Sequence, residues 1–106
     1  MNLDQMVVAL DNVAWQQAGP NCRMKEVLSG GQRLRLVEFQ KGFEEEGWCE
    51  KGHVGYVVEG RLDIEFSDKT VPARIGDAIF IPAGHETRHR AHVVDDVAQL
   101  ILFEHS

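Results

Sequence analysis

Short apolar runs follow one another between glycines and prolines, and this constrains the fold more than any other feature of the chain. In "RLDIEF" (Arg61 to Phe66), Leu62, Ile64 and Phe66 alternate with Arg61, Asp63 and Glu65, so one face is buried and the other is wet. "VGYVVE" (Val54 to Glu59) precedes it across Gly60, and the two read as a hairpin. "AIFIP" (Ala78 to Pro82) is a short apolar strand stopped by Pro82 and Gly84. "RHRAHVV" (Arg88 to Val94) and "VAQLILFE" (Val97 to Glu104) follow, joined by an Asp95–Asp96 turn. In "RLRLVEFQ" (Arg33 to Gln40) Leu34 and Leu36 share one parity, while Val37 and Phe39 share the other. That switch predicts either a bulge or a strand covered on both faces. Many short strands at close spacing mean an all-β sandwich or barrel.

The first thirty residues read differently. Leu3, Met6, Val7 and Leu10 recur at helical spacing after Asn2, a good cap, which predicts a short helix. "QQAGPN" (Gln16 to Asn21) then breaks the chain at Gly19 and Pro20. The 106 residues make one domain, with a barrel core over about residues 33–103 and an N-terminal arm over about residues 1–30.

Composition narrows the function classes. A hydrophobic fraction of 43% and a charged fraction of 26% are those of an ordinary globular chain. No apolar run reaches the roughly 18–20 residues that span a bilayer. The opening residues carry Asp4 and Asp11 and no basic stretch, unlike a secretory signal. A net charge of −6 argues against a nucleic-acid partner, because phosphate contacts need clustered Lys and Arg. Cys22 and Cys49 lie far apart, which fits reduced thiols in a cytoplasmic protein.

Two stretches resemble the motifs of the small single-domain cupins. "GDAIFIPAG" supplies Gly76, Pro82 and Gly84 at the intervals of the second cupin motif, G-x5-P-x-G-x2-H-x3-N. "YVVEG" (Tyr56 to Gly60) is similar to the end of the first, G-x5-H-x-H-x3,4-E-x6-G. The resemblance covers about residues 33–103 and implies a jelly-roll barrel of RmlC-like type. It also implies where a metal would sit, yet the ligand slots hold other residues. Counting back from Gly60, the Glu slot is His53, and the His slots are Gly47 and Cys49, or Glu46 and Trp48. In the second motif the His slot is Thr87 and the Asn slot is Ala91.

Strand parity restores a candidate site. If His53 faces the interior, Gly55 and Val57 do too, and Tyr56 faces out. If Thr87 faces in, so does His89 two residues on. Cys49, just before the strand, reaches the same place. Cys49, His53 and His89 form a credible ligand set for a divalent metal, Zn²⁺ or Fe²⁺, completed by water or a carboxylate. Glu50 and then Glu46 are the nearest carboxylates in sequence. Against this stand simpler readings: a lone buried His is usually hydrogen-bonded, a lone Cys is a small hydrophobe, "FEEEG" (Phe43 to Gly47) is a solvated acidic loop, and Trp48 packs at the barrel mouth. His85 reads as solvent-facing, and His92 and His105 are excluded by parity and position.

Three functions fit these residues. The first is a binding module, a sensor or accessory protein, whose cavity takes a small molecule and is lined by His53, Val57, Thr87, His89 and Gln99. The second is a metal-dependent oxygenase, isomerase or lyase using the Cys/His set. The third is metal-free acid–base catalysis by a His and a Tyr, which the outward parity of Tyr56, the only Tyr, disfavours. Edge strands and an apolar face to protect further predict a homodimer, with the N-terminal segment free to pack across the partner.

Overall fold

The computed structural model describes residues 6–93 and 96–105, and within them nine strands form two antiparallel sheets. The larger sheet is built from β1 (Gln16–Gly19), β2 (Cys22–Ser29), β3 (Gln32–Phe39), β4 (His53–Glu59), β7 (Ala78–Ile81) and β9 (Ala98–His105), in the order β1-β2-β3-β9-β4-β7. The smaller sheet contains β5 (Arg61–Phe66), β6 (Thr70–Arg74) and β8 (His89–His92), in the order β6-β5-β8. Val57, Leu62 and Val93 are the largest fully buried side chains and fill the space between the sheets. This is the all-β jelly-roll barrel expected from the sequence.

Register explains which residues face in. Phe39, Val37 and Arg35 stand opposite Cys22, Met24 and Glu26 on β2, and opposite Ala98, Leu100 and Leu102 on β9. Directly opposed residues share a face, so these rows point toward the barrel interior. The strand pairs on both sides without a shift in register. The mixed parity of "RLRLVEFQ" therefore reflects cover on both faces, not a bulge. Val37 and Glu38, neighbours on opposite faces, are both buried.

Gly60 is a corner, not a hairpin turn. β4 pairs with β7 and β9, while β5 pairs with β6 and β8, so the chain changes sheets at this residue. Gly60 has φ of 68°, and a Cβ there would lie 2.0 Å from Val97 O. Only a residue without a side chain permits so close a crossing. A Gly between two alternating runs suits either geometry, and contacts distant in sequence decide between them.

The N-terminal region is also more sheet-like than its sequence suggested. Gln16–Gly19 is β1, and Asn21 follows Pro20 with φ of 57° in a tight turn into β2. The expected helix is not formed over Val7–Ala9, and Leu3 lies outside the described residues. A 3-10 turn, Leu10–Asn12, follows instead. The Lys25 ammonium donates to Leu10 O at 2.7 Å and lies over the Trp15 ring, which holds this segment against β2. The Asp95–Asp96 turn lies partly outside the described residues.

On the outer face, Glu38 is buried between Arg23, which ion-pairs with it, and Gln99, whose Nε2 donates to it at 2.9 Å. The Arg23 hydrogen bond holds the Glu38 carboxyl below the usual carboxylate range against the opposing effect of burial. A depressed carboxyl stabilises the fold above its unfolded pKa, near 4.3, and loses that contribution as pH falls through the folded value. Glu38→Gln is therefore expected to cost about 1–2 kcal/mol at neutral pH, the half-exposed Arg23 tempering the loss. The gap from the parent protein should close below about pH 4, as urea denaturation at both pH values will show.

Candidate metal centre

The segment between β3 and β4 places the first candidate ligand. Phe43 stacks on Phe39 with ring centroids 4.3 Å apart, and Glu45 accepts a hydrogen bond from Ala91 N at 3.1 Å. Further along, Cys49 N donates to His89 O at 2.8 Å, and His89 N donates to Cys49 O at 2.9 Å. "FEEEG" is thus not a freely solvated loop. Its odd-numbered Phe43 and Glu45 turn inward and its even-numbered Glu44 and Glu46 are exposed, as an irregular strand beside β8 requires. Because Cys49 and His89 are a directly opposed pair, their side chains emerge on one face.

His53 opens β4 in the opposite sheet and faces the same space. Its ring and that of His89 meet edge to face, with centroids 5.1 Å apart. Its Nε2 lies 3.8 Å from Cys49 Sγ. One donor atom from each of Cys49, His53 and His89 falls within 4.8 Å of the other two. In a tetrahedral zinc site, bonds of about 2.0–2.3 Å put neighbouring ligand atoms roughly 3.3–3.8 Å apart. The Cys49–His53 pair already meets that spacing, and the rest need to close by up to about 1.5 Å.

Hydrogen bonding prepares the His89 imidazole as a ligand. His89 is only 4% exposed, and its Nδ1 lies 3.0 Å from Thr87 O, which can only accept. That contact fixes the proton on Nδ1 and leaves a lone pair on Nε2. His89 Nε2 and His53 Nδ1 are buried and have no hydrogen-bond partner among the described residues. Leaving such a group unsatisfied costs about 1–3 kcal/mol. Burial, with the neighbouring His89 second, lowers the His53 pKa and keeps its ring neutral, as metal binding requires. Donor type, burial and spacing all fit a divalent first-row metal.

The three groups line a cavity of about 300 Å³ between the sheets. Its walls are mainly apolar and include Leu62, Ile64, Ile79, Ile81, Leu100 and Leu102. Three other expected lining residues lie elsewhere. Val57 is wholly buried in the packed core and does not line the cavity. Thr87 precedes β8, and its hydroxyl donates to Pro82 O, closing the loop between β7 and β8. Gln99 occupies the outer face with Glu38, opposite in parity to Leu100.

The nearest carboxylates also turn away. Glu46 is exposed, and exposed Glu50 lies 3.2 Å from His85 Nδ1 on the surface. His92 bonds to Glu65, and Trp48 is 40% exposed with Arg90 4.5 Å and Arg88 5.5 Å from its ring centre. Tyr56 points outward and is 45% exposed, so no Tyr reaches the cavity. Sequence reasoning missed Arg35, Glu45 and Lys51, which do line it. A signal for Arg35 was present: it shares the inward parity of Val37 and Phe39.

Comparison with known proteins agrees with this geometry. Residues 35–104 match the model of the cupin domain. The chain belongs to the cupin family. No curated protein matches it significantly. Among solved structures it is similar to KdgF from Halomonas sp., with 26% identity, a TM-score of 0.72, and coverage of 88% of this chain and 87% of that one. An RmlC-like cupin from Shewanella frigidimarina has 20% identity and a TM-score of 0.72, covering 88% and 83%. The polyketide cyclase RemF from Streptomyces resistomycificus has 17% identity and a TM-score of 0.78, covering 92% and 76%. Cupins often bind metal, and the fold hosts varied roles. No helix among the described residues is long and apolar enough to cross a membrane.

Long-range ¹H–¹⁵N spectra of metal-free protein are expected to show His89 as the Nδ1–H tautomer with Nε2 unprotonated. An Nε2–H tautomer would contradict the contact with Thr87 O.

Proposed function

We propose that this cupin holds one divalent first-row metal ion through Cys49, His53 and His89, beside a cavity that binds a small molecule. The observation that carries the reading is the orphaned His89 Nε2, anchored from behind by Thr87 O and facing two further ligand-type side chains. A thiolate with two neutral imidazoles is a soft-to-borderline set, which favours zinc and remains compatible with iron(II). When bound, the ion supplies Lewis acidity to a group in the cavity. The chain's own residues do the rest: the apolar walls exclude water, and Arg35 and Lys51 orient polar atoms of the small molecule. Both a sensor and an enzyme of the lyase, isomerase or oxygenase type could be built on this site. Untagged protein is expected to carry about one equivalent of zinc or iron by elemental analysis, and Cys49→Ser and His89→Ala to lose it by about tenfold or more. Metal content unchanged in both variants would overturn the assignment.

We further propose a homodimer formed through the outer face of the larger sheet. Val27, Leu34, Phe103, Val54 and Phe80 stand in register across five strands, roughly 20 Å wide at the usual strand spacing. Phe80 is 74% exposed and Phe103 53% exposed. A contiguous apolar row of this kind is unusual on a monomer. The next row, Leu36, Ile101, Tyr56 and Ala78, is uncharged too but for Lys25 at its β2 end, which is turned to Leu10 O. On a chain with net charge −6, two copies repel least at such a face. Light scattering should give twice the 11.9 kDa chain mass, and Phe80→Glu combined with Phe103→Glu should give the single mass. A parent protein already monomeric at micromolar concentration would refute the interface.

A further inference from the structure

The cavity that adjoins the Cys/His cluster is not electrically neutral in its fittings. Arg35 on β3 projects into it with only 20% of its side chain exposed. A guanidinium offers five N–H donors. One, on Nε, is given to Glu104 at 2.5 Å, and one on a terminal nitrogen reaches Met24 Sδ at 3.9 Å. Thioether sulfur is a weak acceptor. The remaining donors have no acceptor among the described residues. A largely buried guanidinium with free donors facing a cavity calls for an oxygen-rich, negatively charged group, because its fork matches a carboxylate in two-point contact.

The other charges nearby are compatible with such a group. Lys51, exposed, lines both the cavity and the wide outer groove, where His53 and Ile81 also border both. A cation therefore stands where the two spaces adjoin. Glu45 is the one carboxylate among the lining residues, and its Oε1 is engaged by Ala91 N. Glu104 is turned to the Nε edge of Arg35 and leaves the terminal nitrogens free. The volume limits the size. About 300 Å³ corresponds to roughly ten water molecules, room for a small organic acid and not for a nucleotide. Away from the charged groups and the Cys/His cluster the wall is apolar, aliphatic with the rings of Phe39 and Phe43, which suits a carbon body and gives no polar partner to a polyhydroxylated one.

We propose that the cavity takes a small carboxylate, its anionic end received by Arg35 and its body held between the apolar walls beside Cys49, His53 and His89. This rests on the cavity being a ligand site, as proposed above, but does not depend on the metal.

The test uses metal-stripped, ¹⁵N-labelled protein titrated with benzoate and with benzamide, which share a shape and differ in charge. Benzoate is expected to bind saturably, to move the Arg35 Nε–H resonance, and to bind at least about tenfold more tightly than benzamide. Arg35→Gln should bring the two affinities together, and Glu104→Gln, which leaves Arg35 without its competing anion, should widen the gap. If Arg35→Gln does not fold, Glu104→Gln decides, a wider gap supporting the proposal and an unchanged one overturning it. Equal affinities in the parent protein, a preference that survives in folded Arg35→Gln, or no saturable benzoate binding would each overturn it. Retention of zinc is scored separately. Charge-selective protein that cannot hold zinc sinks only the metal centre, and zinc-binding protein without selectivity sinks only the carboxylate.

Discussion

The reciprocal backbone pair between Cys49 and His89 is the contact on which the site depends. Without it, the segment between β3 and β4 would be a long connection on the surface, and Cys49 would have no defined position. With it, that segment becomes an irregular outer strand of the smaller sheet, and three consequences follow. Cys49 and His89 emerge side by side, Phe43 and Glu45 are carried in over the open end of the barrel, and β4 begins with His53 across from both. The larger sheet contributes one ligand and the smaller sheet the other two. Closing the barrel and assembling the cluster are thus one event.

The cluster shows how a fold can bring ligand-type side chains to one place with none of the expected residues in the expected slots. The chain has a His in the slot where its family has Glu, and a Cys in one where the family has His. The last His comes from two residues beyond the expected slot, on the same strand parity, and the displaced slot is still useful: the Thr87 carbonyl steadies the imidazole that replaced it. What persists is the place where the two sheets converge, not a residue pattern.

Much of this was legible from local pattern, and the failures have a common cause. The alternation in "RLDIEF", the Gly and Pro stops around "AIFIP" and the inward parity of His53 all survive because each is set within one strand. Gly60 was misread as a hairpin because its partner, Val97, lies far away in sequence. β2 was missed because "CRMKEVLS" carries Arg23 and Lys25 on its outer face, which find partners distant in sequence, Glu38 on β3 and Leu10 O in the N-terminal segment. Thr87 shares the parity of His89, but the strand begins only at His89, so the parity does not reach it. Gln99 drew attention as a polar residue in an apolar strand, when its polarity marked the opposite face. Val57 is buried as expected but belongs to the packed core and not to the cavity wall.

β4 has an inheritance built into it that bears on how such a chain can change. Its lower part, Gly55 and Val57, is locked: a Cβ at Gly55 would come within 2.3 Å of Ile101 O, and Val57 has no exposed surface. Its first residue, His53, belongs to the cavity and not to the packed cluster that holds the sheets together. Foldability and chemistry are therefore written into separate stretches of one strand. His53 or Cys49 can thus be exchanged without first compensating the core, and the chemistry at the mouth of the strand is free to change by single substitutions while the fold below it stays fixed.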